Sequence, residues 1–162
     1  FQHSGTFKAR GALSITKQIK KENKKFGITA ASAGNHAIAA AWAAKVEKLS
    51  AKVVMQTSAN PFRISLAKTY GAEIIMKEGG LATFAEADRL VSEENRTFIH
   101  PFDGIDTTLG SAGVGLELIS DYSDLDAVVV AVGGGGLISG VAAAVKLKNN
   151  NCKIYGLSLI HI

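Results

Sequence analysis

Two apolar rhythms alternate along the chain. Short, nearly continuous apolar runs are separated by longer stretches in which apolar residues return every three or four positions, as on one helix face. Ala12 to Lys25 has the helical spacing, with Ala12, Ile15 and Ile19 on one side and lysines elsewhere. Gly27 to Ala31 reads as a short buried strand, Ser32 to Asn35 as a turn, and Ala37 to Val46 as an alanine-rich helix. Ala51 to Met55 is a second strand. Asn60-Pro61 opens a helix, with proline in its first turn, that runs to about Tyr70 and stops at Gly71. Glu73 to Met76 is a strand, and Thr83 to Glu94 a helix with Phe84, Ala87, Leu90 and Val91 on one face. Thr97 to Ile99 is a strand, 101–106 a loop, and Thr108 to Ser120 a helix despite Gly110, Gly113 and Gly115. Ala127 to Val132 is an unbroken apolar run that suits a strand covered on both faces. Gly133 to Gly136 follow, then a helix to about Lys148 and a last strand, Lys153 to Leu157.

This alternation predicts an α/β fold, with parallel sheets, helical crossovers and helices on both faces. Ligands in such folds bind beyond the carboxyl ends of the strands. Three unusual segments fall at such ends or in loops beside them: the residues around Lys8, the turn Ser32–His36, and the run Gly133–Gly136.

Composition narrows the class. The chain has 162 residues, 47% hydrophobic and 20% charged, with a net charge of +4; this is ordinary for a globular domain. The lysines gather between Lys17 and Lys25 without interleaved aromatics, so they read as a solvated helix face and not as a nucleic-acid surface. No apolar run reaches the roughly 18 residues a membrane span needs. The one cysteine, Cys152, excludes an internal disulfide and a cysteine-only metal site and fits a cytoplasmic location; no metal-ligand set is expected.

Glycines at 133–136, after a valine-rich strand and before a helix, let the backbone approach a ligand closely. Their N–H groups and the helix N-terminus form an anion cradle suited to a phosphate; a tight turn without ligand is the plainer alternative. The run lacks the Gly-Lys-Ser/Thr of a nucleotide-triphosphate loop, and Ile138 stands where the last glycine of a dinucleotide fingerprint belongs. A small phosphorylated cofactor therefore fits better than a nucleotide. The Ser32-Ala33-Gly34-Asn35-His36 turn offers backbone N–H groups to a carboxylate, although Ser32 and Asn35 also suit plain helix capping. Lys8 lies among small and apolar residues, where an amine loses proton affinity and becomes nucleophilic.

These motifs agree in order and spacing with one family. Thr6-Phe7-Lys8-Ala9-Arg10-Gly11-Ala12, Ala31-Ser32-Ala33-Gly34-Asn35-His36-Ala37, His100-Pro101-Phe102-Asp103 and Gly133–Gly136 with Leu137 resemble the fold-type II pyridoxal-phosphate enzymes, in their serine/threonine dehydratase and serine racemase branch. The resemblance implies that Lys8 carries pyridoxal 5'-phosphate as a Schiff base and removes the substrate's α-proton. It implies that Phe7 packs near the cofactor ring, that Asn35 meets the ring hydroxyl, and that Gly133, Gly134, Gly135, Gly136 and Leu137 hold the phosphate. Backbone amides of Ser32, Ala33, Gly34, Asn35 and His36 would take the substrate carboxylate. The reaction implied is α,β-elimination of L-threonine or L-serine to a 2-oxo acid and ammonia by a cytoplasmic enzyme, the parent being a homo-oligomer. The rivals are an amino-acid racemase on the same site, a non-catalytic phosphate-binding module, and an inert fragment.

Departures bear on detail. Gly110-Ser111-Ala112-Gly113 replaces the family's Gly-Gln-Gly-Thr, and Ala37-Ile38-Ala39 its Ala-Gln-Gly. Compared with the family, segments on both sides of the chain are missing, so a fragment is expected. Residues 26–101 would be its small domain, 1–25 and 102–156 part of a large cofactor-binding domain, and 157–162 would be a non-native tail in which His161 has no role.

Overall fold

A computed structural model describes residues 2–159; the part of the expected tail at 160–162 lies outside them. The chain divides into two compact units, 1–101 and 102–162.

The first unit is a four-stranded parallel sheet. Its strands are β1 (Ile28–Ala31), β2 (Ala51–Gln56), β3 (Glu73–Lys77) and β4 (Thr97–Phe98), in the order β3-β2-β1-β4. Register follows burial: Ile28 pairs with Ala51 and Val53 with Ile74. Successive strand residues point to opposite faces, and each face has its own cover. Ile28, Ala30, Val53 and Met55 join one core with α2 (Asn35–Val46) and with Ala12 and Ile19. Ala31 and Val54 pack instead with Ala87 and Leu90 of α4 (Gly79–Glu94). Eight residues of α2 are buried, six of them alanines, because the helix lies between the sheet and α1 (Lys8–Gln18). A helix apolar all round must be enclosed, and small side chains let its neighbours come close.

Several boundaries differ from the sequence expectation: α2 starts at Asn35, not Ala37, and the helix expected from Thr108 starts at Ile105, inside the expected 101–106 loop. Helix α1 starts at Lys8, not Ala12, because the Thr6 hydroxyl accepts from the Lys8 amide at 3.2 Å and caps it. It stops at Gln18, and the lysine-rich continuation Lys21–Phe26 is a 3-10 turn. Helix α4 starts four residues before Thr83, at Gly79. Helix α3 (Pro61–Thr69) begins at the expected proline, with the Asn60 side chain accepting from the Phe62 amide at 2.8 Å. Residues 1–25 pack with the first unit; their assignment to the large domain of a longer parent stays a proposal about that parent.

The second unit pairs β5 (Ala127–Ala131) with β6 (Lys153–Leu157) in parallel, beside helices α5 (Ile105–Asp121) and α6 (Gly136–Lys148). Close approach of the two helices rests on missing side chains: a Cβ on Gly115 would stand 2.7 Å from the Val141 carbonyl, and one on Gly140 2.5 Å from the Ala112 amide. The expectation that the valine run is covered on both faces is not met in this chain. Val130 is buried against Ile119, Val141 and Val145, but Val129 is 67% exposed. The two-stranded sheet has its helices against one face only, so alternate residues of β5 meet solvent.

Leu90 is the largest fully buried side chain of α4 and packs against Ala31 and Val54 of the sheet. Leu90→Ala is expected to lower unfolding free energy by about 2–5 kcal/mol, the cost of a core cavity. Urea denaturation followed by far-UV dichroism checks it; an unchanged midpoint would mean α4 is not anchored through this residue.

Candidate functional site

In the first unit, the site is built around a short segment leaving β4. The Ile99 amide donates to the Thr29 carbonyl at 2.9 Å and extends the sheet pairing by one residue. Beyond it, two side chains seize alternate carbonyls. The His36 ring engages the Ile99 carbonyl at 2.8 Å, and Lys8 Nζ donates to the Pro101 carbonyl. The structure thus brings Lys8 and His36, predicted as separate motifs, onto one piece of backbone.

Lys8 lies in the first turn of α1, half-buried, with Nζ 4.9 Å from the Phe7 ring centroid. Burial lowers its ammonium pKa from 10.5. A cation in the first turn also faces the positive end of the helix dipole, while the ring face of Phe7 attracts it. The resulting amine is held in place by a neutral carbonyl and gives up its proton more readily than a surface lysine does.

His36 is 4% exposed. A carbonyl oxygen only accepts, so Nε2 carries the proton and Nδ1 is a bare acceptor, buried without a partner among the described residues. Burial is the main cause that pushes its pKa down from 6.5 to about 4; Lys8 and His100 lower it further, while the bond to Ile99 raises it. His36 is therefore neutral at pH 7, and its side chain faces the 99–101 segment.

The Ser32–His36 turn is more selective than its sequence suggests. The Ser32 amide donates to the Val54 carbonyl at 3.0 Å, and the Gly34 amide to Ser32 Oγ at 3.1 Å. The amides of Ala33, Asn35 and His36 have no partner among the described residues. Three of the five expected donors thus stay available to an anion. Asn35 opens α2 with its side chain exposed and unbonded among the described residues.

In the second unit, the glycines have distinct reasons. Gly135 has φ +87°, the left-handed region that favours glycine. A Cβ on Gly134 would overlap the Phe102 ring, and one on Gly136 the Phe102 carbonyl. Gly133 has nothing within 4 Å of its Cβ position and faces open space. The amides of Gly133, Gly134, Gly135, Gly136 and Leu137 have no partner among the described residues, and they run into the N-terminus of α6. A nest of successive N–H groups at a helix start suits a phosphate. Neither Pro101 nor Phe102 had an individual site role in the sequence analysis. Their part depends on contacts far along the chain; the one local signal was the His-Pro-Phe-Asp string itself.

Taken separately, the lysine of the first unit suits an aldehyde and the nest of the second suits a phosphate. The chain belongs to the family described as pyridoxal-phosphate dependent enzyme, whose model matches residues 1–159. It is 46% identical over 156 residues to phenylserine dehydratase of Ralstonia pickettii, covering 96% of this chain and 48% of that protein. It is 39% identical over 158 residues to L-threonine ammonia-lyase of Thermotoga maritima, covering 96% of this chain and 39% of that one. The solved structure of maize serine racemase superposes with a TM-score of 0.94 at 34% identity, over 96% of this chain and 48% of that one. The chain thus spans about half the length of the relatives it matches, or less.

Two outcomes follow. Above pH 6.5 His36 is neutral folded and unfolded and contributes no pH dependence. As pH falls from 6.5 towards 4, the unfolded chain takes the proton and the folded one does not. Stability therefore drops, by about 3 kcal/mol once pH is below 4. His36→Gln removes that slope, measured as unfolding free energy against pH; an equally steep loss in the variant would refute the assignment. Separately, Gly134→Ala is expected to destabilise the second unit by about 1–3 kcal/mol through overpacking on Phe102, whereas Gly133→Ala changes stability by no more than about 0.5 kcal/mol. Denaturation of both variants decides whether Phe102 is what Gly134 accommodates.

Proposed function

We propose that this chain is the lysine- and phosphate-binding part of a pyridoxal-phosphate-dependent lyase acting on a β-hydroxy-α-amino acid, yielding a 2-oxo acid and ammonia. The observation that carries it is Lys8: an amine whose proton affinity burial weakens, held by the Pro101 carbonyl in the first turn of α1. The similarity to phenylserine dehydratase and threonine ammonia-lyase supports the reaction class. L-threonine, L-serine and a β-aryl serine share the reacting atoms and remain candidate substrates.

Bound pyridoxal phosphate supplies an electron sink for the α-carbon of an amino acid. Lys8 Nζ is the attachment point for its aldehyde and, when free, the base that takes the α-proton. The Phe7 ring packs beside it and limits water. The exposed Asn35 amide group can both donate to and accept from a ring hydroxyl. The amides of Ala33, Asn35 and His36 orient the carboxylate, and those of Gly133–Leu137 hold the phosphate. His36 keeps the 99–101 backbone, and with it the Pro101 carbonyl, where Lys8 can reach it.

Racemisation shares the first proton removal, and the likeness to maize serine racemase keeps it as a second reading. A β-hydroxyl lost as water separates the two: elimination yields 2-oxo acid and ammonia, racemisation the opposite enantiomer.

Incubation of the chain with pyridoxal phosphate, borohydride reduction and peptide mass mapping tests the central claim. The stable adduct should sit on Lys8 and vanish in Lys8→Ala. A label spread evenly over Lys17–Lys25, or undiminished in the variant, would overturn it.

A further inference from the structure

Arg63 stands in the first turn of α3, where the helix dipole disfavours a cation. Its exposed guanidinium makes no hydrogen bond or ion pair among the described residues. It does lie against the Ser32–His36 turn. Nη1 stands 3.1 Å, and Cζ 3.7 Å, from the point a Cβ on Gly34 would occupy. Gly34 has φ −140°, outside the region that favours glycine. A Cβ there would crowd the guanidinium.

Arg63, and Asn35 alone from the turn, border an open depression of about 800 Å³ whose wall also includes Ser4, Asn60, Phe62 and Tyr70 and has no Asp or Glu. Two helix N-termini flank it, α2 at Asn35 and α3 at Pro61, each adding partial positive charge. The unpaired amides of the turn add donors. An unpaired planar cation, three free N–H groups and two helix starts with no opposing carboxylate suit a small anion.

We propose that Arg63 recognises the substrate carboxylate at this turn, so that a nest of neutral amides becomes a charged clamp that requires a free carboxylate. The proposal rests on the reading of the Ser32–His36 turn as the carboxylate site. An arginine fork matches a carboxylate in charge and shape. The expected selectivity is for amino acids over their esters, whatever the β-substituent.

Titration of the chain with L-threonine, followed by the backbone amide NMR shifts of 33–36, tests it, with L-threonine methyl ester and inorganic phosphate as separate probes. L-Threonine should bind the wild type, more weakly as salt rises, and the ester should not bind. Arg63→Gln should weaken threonine about tenfold, the effect of losing one charge-assisted bond, and abolish the salt dependence; Arg63→Lys should restore that dependence. Equal affinity and salt dependence in wild type and Arg63→Gln would overturn the role of Arg63 while leaving the turn as the carboxylate site. No response to threonine in either protein would sink the turn's role and this proposal together. A response to phosphate alone would make the site one for the cofactor's anion, and the proposal would again fall.

Discussion

A half-buried amine with no carboxylate paired to it among the described residues is the constraint around which the first unit is arranged. Lys8 cannot be satisfied by a counter-charge, because a close carboxylate would hold the proton on and remove its nucleophilic character. The alternative is a neutral acceptor fixed in space. The Pro101 carbonyl supplies it, and a carbonyl in an irregular segment must itself be anchored. Strand β4 is only Thr97–Phe98, so it cannot provide that anchorage alone. The Ile99 amide extends the pairing to β1, and His36 holds the Ile99 carbonyl from the other side. For this His36 must stay neutral, since its protonation would place a buried cation near Lys8 and His100. The alanine-rich build of α2 follows as well. A buried histidine in its first turn can reach Ile99 only if the helix lies tight against the sheet, and alanines at 37, 39, 40 and 41 make that approach possible.

The second unit solves the opposite problem: donors must stay unpaired without collapse of the loop that carries them. Unpaired N–H groups are tolerable only where solvent or a ligand reaches them. Gly133 and Gly134 are exposed, while Gly136 is buried under the Phe102 carbonyl. Phe102, itself 40% exposed, thus fills the space on one side of the loop. The loop stays open through Gly133 and is braced through Gly134 and Gly136. Four glycines in a row are therefore not four copies of one requirement.

Most of the fold was legible because burial imposes periodicity. Every expected helix and strand has a counterpart in the structure, and the family motifs pointed to Lys8, the turn and the glycine run. What escaped had no local pattern. Thr6 caps α1 two residues ahead of Lys8, and in a string rich in small polar residues nothing distinguishes it. The valine run of β5 reads as covered on both faces because composition reports what a strand prefers, not which neighbours this chain provides. Arg63 is separated from Gly34 by all of α2 and all of β2. Its one sequence signal was a cation in the first helical turn with no acid near it. The separation of the Ser32–His36 amides into paired and unpaired ones also required the structure, since Val54 and the Ser32 hydroxyl decide it.

The departure at Gly110-Ser111-Ala112-Gly113 bears on where substrate preference can originate. In this chain the stretch lies inside α5, not at its start. Ser111 is buried, and its hydroxyl donates to the Thr107 carbonyl at 3.0 Å, one turn back in the same helix. The backbone at Ser111 and Ala112 lies where a Cβ on Gly140 would have to fit. A hydroxyl satisfied within its own helix, on a face packed against α6, has little left to offer a substrate. The glutamine amide and threonine hydroxyl of the family pattern have thus been exchanged for close helix packing. Discrimination between β-substituents must then come from other groups. Asn35, Phe62 and Arg63 line the open depression of the first unit with exposed side chains.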